Sequence, residues 1–204
     1  IGEVWLCAGQ SNMVMPLNGF DYCPISDSNN VIADALNHPG IRMVTIKPTV
    51  KLSPQEYAEG SWQQPTTENA PKFSAAAYHY VLTLQRTLQI PIGVITCAWG
   101  GSRVEGWLPK EILQTYKDED LTLIGSDKTP VYLQSMLMYN GILYPCHKYT
   151  IKGFIWYQGE SNVRSSRTYA ERLATMVKHW RSIWKQGDLP FYYVETVPFA
   201  CEYK

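Results

Sequence analysis

Three short segments of the chain carry residue types that together could run acyl transfer. Gly9-Gln10-Ser11-Asn12 offers a hydroxyl at a corner beside a glycine, a place for a nucleophile. Gly100-Gly101-Ser102 lets the backbone come close enough to donate N–H groups to an oxyanion, because glycine has no Cβ in the way. Gln158-Gly159-Glu160 adds a side-chain amide, a further donor for the same oxygen, and a carboxylate. Taken singly, each has a plain reading: Gly-Gly after a strand is commonly a turn, and a lone serine there commonly caps something. They weigh more if the fold brings them to one place.

The elements that would position them are legible from pattern. Glu3–Ala8 is a short apolar run closed by Gly9, the composition of a buried strand. Ser28 or Asn29 could cap a helix through Leu36, ending near Pro39-Gly40, and Ile41–Ile46 alternates as a second strand. Residues 47–72 carry four prolines and read as a long surface excursion. Phe73–Gln89 is the clearest helix, capped by Ser74, with Ala77, Tyr80, Val81, Leu84 and Leu88 at helical steps. Ile92–Ala98 is a third strand and Lys152–Tyr157 a fourth; between them the apolar density of Leu133–Tyr144 predicts a helix stopped by Pro145. Tyr169–Trp184 is a second strong helix, with Trp180 and Trp184 on its core stripe, and Phe191–Val197 a fifth strand.

Strands alternating with helices, with no tight hairpins, require crossover connections. The expected architecture is therefore α/β, a mostly parallel sheet with helices on both faces. In such a sheet ligands bind outside the carboxyl ends of the strands. The three segments each follow a strand, so all three fall on one rim.

Composition removes other classes. The chain has 204 residues, 45% hydrophobic and 18% charged, which fits one globular domain and excludes a disordered one. Eighteen Lys+Arg cancel eighteen Asp+Glu, so nothing draws the chain to nucleic acid or anionic lipid. No apolar window reaches the ~18 to 20 residues of a spanning helix, and no membrane is expected as partner. The start is not a basic-then-apolar leader, and the absence of an initiator methionine suggests an excised piece. Five cysteines form no C-x-x-C, which argues against a structural metal; Cys7 and Cys97 read as buried hydrophobes. Gly-Gln-Ser-Asn-Met is not the G-x-S-x-G elbow, and neither a phosphate loop nor G-x-G-x-x-G occurs.

Glu3-Val-Trp-Leu-Cys-Ala-Gly-Gln-Ser-Asn-Met13, Trp99-Gly-Gly-Ser-Arg-Val-Glu-Gly-Trp107, Tyr139-Asn-Gly141 and Gly153-Phe-Ile-Trp-Tyr-Gln-Gly-Glu-Ser-Asn162 resemble the successive blocks of the sialate O-acetylesterases, SGNH hydrolases related to acetyl xylan esterases. Trp180–Phe191 resembles the same family, so the similarity runs through most of the chain. The resemblance implies a flavodoxin-like three-layer α/β/α sandwich and one SGNH hydrolase domain over 1–204, incomplete at its C-terminal end. It implies hydrolysis of O-acetyl esters on sugars without a metal or other cofactor, in a secreted, periplasmic or lysosomal setting. An acetylated sugar is then the expected partner.

Carried over by position, Ser11 matches the nucleophile, Gly101 the oxyanion glycine, and Gln158 stands where related enzymes keep an oxyanion asparagine. The third block is one residue too long for the wider G-x-N pattern, so either Gln158 or Asn162 could donate. Glu160 could orient a histidine or hold a loop. Arg103 could grip a sialate carboxylate or tie down its own loop, and Trp107 could stack on a sugar or pack in the wall. His79 and His179 lie on helices away from the rim, and Asp34 with His38 imitates an acid–histidine pair at the start of a strand, the wrong end. The family supplies its base from a D-x-x-H block that this chain lacks. The histidine and its acidic partner are therefore expected beyond Lys204, on a downstream segment or a second subunit.

Overall fold

The computed structural model describes residues 2–197. Its strands β1 (Glu3–Gly9), β2 (Ile41–Thr45), β3 (Ile92–Ala98), β4 (Gly153–Tyr157) and β5 (Phe191–Tyr193) form one sheet in the order β2-β3-β1-β4-β5. Every pairing is parallel. The crossovers carry α1 (Ser11–Val14) and α2 (Ser28–Asp34) after β1, α3 (Ala75–Leu88) after β2, α4 (Lys110–Leu113) after β3 and α5 (Ser166–Trp184) after β4.

Alternation along β1 builds two cores, because successive side chains point to opposite faces. Trp5 and Cys7 pack with Met43 and Val94 against Tyr78 and Val81 of α3. Leu6 and Ala8 pack with Ile95, Phe154 and Trp156 against Met176, Trp180 and Trp184 of α5. The result is the expected three-layer α/β/α arrangement, and coverage of both faces explains why β1 and β3 are apolar almost throughout. β1 stands in the middle, where a flavodoxin order would put β3. Its carboxyl end is thus flanked by neighbours on both sides.

Local signals hold at the long helices. Ser74 accepts the Ala77 N–H at the start of α3, and α3 ends where Gln89 turns left-handed, φ 54°. In the excursion 47–72, Met43 and Gln63 exchange N–H···O bonds of 2.8 Å, so the segment covers the β2 edge.

Three elements differ from the sequence reading. Leu133–Tyr144 is not one helix: Gln134 is extended, Met136 has φ 64°, and only then does a π-helical turn form over Tyr139–Leu143. Polar anchoring and close packing outweigh the apolar density there. The Gln134 side chain bonds Gly125 N, Ser126 O and Thr129 O, and a Cβ on Gly141 would lie 2.0 Å from Thr49 O. β5 pairs only as far as Tyr193, although Val194 N still donates to Trp156 O at 2.9 Å. α2 starts from Asp27 with no side-chain cap.

Candidate active site

Sheet register assembles the site. Gly9 is level with Ala98 on one side and Tyr157 on the other, so Gln10-Ser11, Trp99-Gly100 and Gln158-Gly159 leave the sheet side by side. Gly9 is required at this corner: its φ is +149°, and a Cβ would stand 2.1 Å from Tyr157 O. Trp99 N donates to Gly9 O and Gln10 N to Tyr157 O, both at 3.0 Å, and these bonds fix the three exits.

Ser11 is half-buried at the first position of α1. A methyl placed on Gly100 would lie 4.0 Å from Ser11 Cβ, which puts the two segments in contact. Among the described residues, no hydrogen bond takes the N–H groups of Ser11, Gly100 or Gly101. Gly101 has φ +76° and rests against the ring of Tyr132. Ser11, Gly100 and Gly101 thus share one corner with donors that protein does not satisfy, and the Gln158 side chain does not join them.

Gln158 is buried, and its Nε2 donates to Ser102 O at 3.1 Å and to Asn162 Oδ1 at 2.8 Å. Both amide hydrogens are occupied, which corrects the expectation that Gln158 donates to the oxyanion. Asn162 is no freer: Oδ1 also accepts Val104 N at 2.9 Å, and Nδ2 donates to Glu105 at 3.0 and 3.2 Å. It is 1% exposed and cannot touch substrate, so neither candidate for the third-block donor is available.

Of the two roles open to Arg103, substrate contact and loop anchoring, the structure shows the second. Nε and Nη2 donate to Leu133 O at 3.0 and 2.8 Å, and Nη2 meets Glu119 at 2.8 Å. The guanidinium ties loops together, with no face left for a sialate carboxylate. Trp107 is fully buried, with its ring edge-on to Trp156 at 5.9 Å and its indole N–H on Ser102 Oγ. It packs the wall and does not stack on a sugar.

Glu160 remains at the rim. Oε1 accepts the Asn12 amide at 2.6 Å, one residue from the serine, while Oε2 is buried without a partner among the described residues. A buried carboxylate oxygen without a donor is costly.

The four histidines lie elsewhere. His38 bonds Asp34 at 2.8 Å, His147 bonds Tyr144 O at 2.6 Å, His179 bonds Tyr139 Oη at 2.8 Å, and His79 is exposed on α3. None reaches Ser11. Among the described residues no group of three or more His, Cys, Asp or Glu is arranged to hold a metal ion, and no helix is long and apolar enough to cross a membrane.

Sequence reasoning passed over the frame beneath the rim. Gln10 Oε1 accepts Gly159 N and Ser161 N at 3.3 and 3.2 Å, clasping the β4 loop to the end of β1. Glu105, fully buried, pairs with Arg172 and receives the Asn162 amide. Burial opposes the Arg172 charge, but the hydrogen bond and charge of Glu105, with Asp118 and Glu119, outweigh it and hold its pKa above the ordinary value. Tyr169 donates to Gln158 O at 2.8 Å; burial, against a hydrogen bond from Trp156, pushes its phenol up to about 12, and the charge of Glu160 adds to the push. A signal for Arg172 existed. It sits four residues before Met176 on the stripe that continues to Trp180 and Trp184, a charge where helical spacing demands an apolar residue.

A parallel α/β/α sandwich with a serine beside backbone donors that no described residue takes, at the carboxyl ends of its strands, is an arrangement suited to acyl transfer. The chain superposes on a carbohydrate acetylesterase from Xanthomonas citri with a TM-score of 0.79 at 31% identity, covering 94% of this chain and 41% of that one. An Arabidopsis thaliana protein, 16% identical with a TM-score of 0.58 over 95% of this chain and 74% of its own, shares the fold. The chain belongs to the carbohydrate esterase family described as sialic acid-specific acetylesterase, which matches residues 1–203. It is 28% identical over 196 residues to the sialate O-acetylesterases of Pongo abelii and Homo sapiens, covering 92% of this chain and 36% of each of those proteins. It therefore spans about a third of the length of the curated relatives it matches.

Proposed function

We propose that this chain carries the nucleophile and oxyanion donors of a serine esterase that removes O-acetyl groups from carbohydrates. The observation that carries the reading is that, among the described residues, the N–H groups of Ser11, Gly100 and Gly101 have no partner, at one corner with the Ser11 hydroxyl. Ser11 Oγ attacks the acetyl carbonyl and loses its proton to a histidine. The backbone N–H groups of Ser11 and Gly101 hold the oxyanion, the sugar hydroxyl leaves with the proton, and water then releases acetate from Ser11. Gln158 and Asn162 act as positioning residues, holding Ser102 O and Val104 N.

The histidine comes from outside the described residues, on a downstream segment or a second subunit with its acidic partner, since all four described histidines are held or placed elsewhere. The free Oε2 of Glu160 is where such a histidine would be received and oriented. On this reading the whole protein works in a secreted, periplasmic or lysosomal compartment with acetylated sugar as its substrate, a setting supported by the family resemblance. In the full-length protein, Ser11→Ala should lower 4-nitrophenyl acetate hydrolysis by at least ~10³-fold. Hydrolysis that survives the substitution refutes the nucleophile. Sugar binding with no turnover by the intact protein favours a carbohydrate-binding pseudo-enzyme.

A further inference from the structure

The corner around Ser11 has backbone donors for the ester but, among the side chains assigned so far, nothing to recognise a sugar: Trp107 is buried, Asn162 is consumed internally, and Arg103 is held by Glu119 and Leu133. One aromatic ring fills that place. A Cβ on Gly101 would lie 2.8 Å from Cδ2, 3.1 Å from Cε2 and 3.3 Å from Cγ of Tyr132, so the ring lies directly on the glycine whose N–H is vacant. Yet Tyr132 is 40% exposed, and its hydroxyl has no hydrogen-bond partner among the described residues.

The loop that carries the ring is also fixed. Tyr132 sits in the 3₁₀ turn Val131–Leu133, whose last carbonyl takes two bonds from Arg103. On its other side, Gln134 anchors the loop through Gly125 N, Ser126 O and Thr129 O. Arg103, through Leu133 O, thus sets the position of its aromatic neighbour. A half-exposed ring carried on an anchored loop beside Gly101 offers an apolar face to the C–H side of a pyranose, with a phenol at its edge for a sugar hydroxyl.

We propose that Tyr132 is the platform on which the pyranose ring of the ester-bearing sugar lies while its acetyl carbonyl enters the corner between Ser11 and Gly101. The proposal rests on the esterase reading of Ser11. It expects this ring to favour sugar esters over simple ones.

Two measurements on the full-length protein test it. In the Ser11→Ala background, titration with peracetylated glucose, followed by intrinsic fluorescence or ligand-observed NMR, should show Tyr132→Ala weakening binding about five- to tenfold, with Tyr132→Phe staying within about twofold. In the active enzyme, Tyr132→Ala should lower the ratio of kcat/KM for peracetylated glucose to that for 4-nitrophenyl acetate by a similar factor, and Tyr132→Phe should restore it. Unweakened binding in the first experiment, or equal losses on both esters in the second, overturns the platform. Failure of the esterase reading shows itself separately, as 4-nitrophenyl acetate hydrolysis that persists in Ser11→Ala; the binding measurement still decides Tyr132.

Discussion

Replacing Arg172 by methionine keeps most of the side-chain stem in the core and removes the charge. The residue is 2% exposed; its guanidinium pairs with Glu105, lies 2.7 Å from both Asp118 oxygens, and sits 4.7 Å from the Tyr116 ring centre. The Asp118 carboxylate is 60% exposed, so solvent screens its share to about 0–1 kcal/mol. Glu105 is 0% exposed and would keep only the Asn162 amide and Arg103 at 3.8 Å. Its uncompensated burial dominates, and breaking such a pair from one side costs about 3–5 kcal/mol. For a chain of this size that is a fall in Tm of about 6–20 °C. Urea denaturation followed by tryptophan fluorescence measures it, with the m value checked for constancy. Adding Glu105→Gln should recover part of the loss, because the stranded carboxylate is gone. A loss below ~1 kcal/mol for Arg172→Met, or a double variant worse than the sum of its parts, refutes the reasoning.

Gly9→Ala must separate β1 from β4, since its Cβ would meet Tyr157 O at 2.1 Å at φ +149°; a loss of about 3 kcal/mol or more is expected by chemical denaturation, and a loss under ~1 kcal/mol contradicts the corner geometry. His179 is held below the ordinary histidine pKa by burial, against the charge of Glu111. The unfolded chain protonates it at about 6.5, so its contribution is complete above that pH and is lost as the pH falls through the folded value; His179→Gln should flatten this part of the stability–pH curve, and an unchanged slope would exclude the group.

Much of this molecule is legible in one dimension because the signals are local. Five apolar runs, two amphipathic helices and the glycines that follow the strands are written in consecutive residues, and the rule for ligands at strand ends converts them into a rim. The roles left open or misread share another cause. Gln158, Asn162, Arg103 and Trp107 are polar or aromatic groups near the rim, and their types are equally suited to substrate or to a buried frame. Partners dozens of residues away decide between the two: Gln158 bonds Ser102 O across 56 positions, and Asn162 bonds Glu105 across 57. The helix expected over Leu133–Tyr144 failed likewise, because the Gln134 anchors and the approach of Thr49 to Gly141 are invisible to hydrophobic periodicity.

The sequence by itself determined that Ser11, Gly100-Gly101 and Gln158-Gly159-Glu160 follow parallel strands, because strand and turn propensity depend on near neighbours. Only the tertiary structure decided which donors stay vacant. The order β2-β3-β1-β4-β5 puts the serine loop between two others, the frame of Glu105, Arg172 and Ser102 O takes up the amides of Asn162 and Gln158, and among the described residues the backbone N–H groups of Ser11, Gly100 and Gly101 are left as donors. A buried polar group takes whatever partner the fold brings within reach, and that choice is made in space, not along the chain.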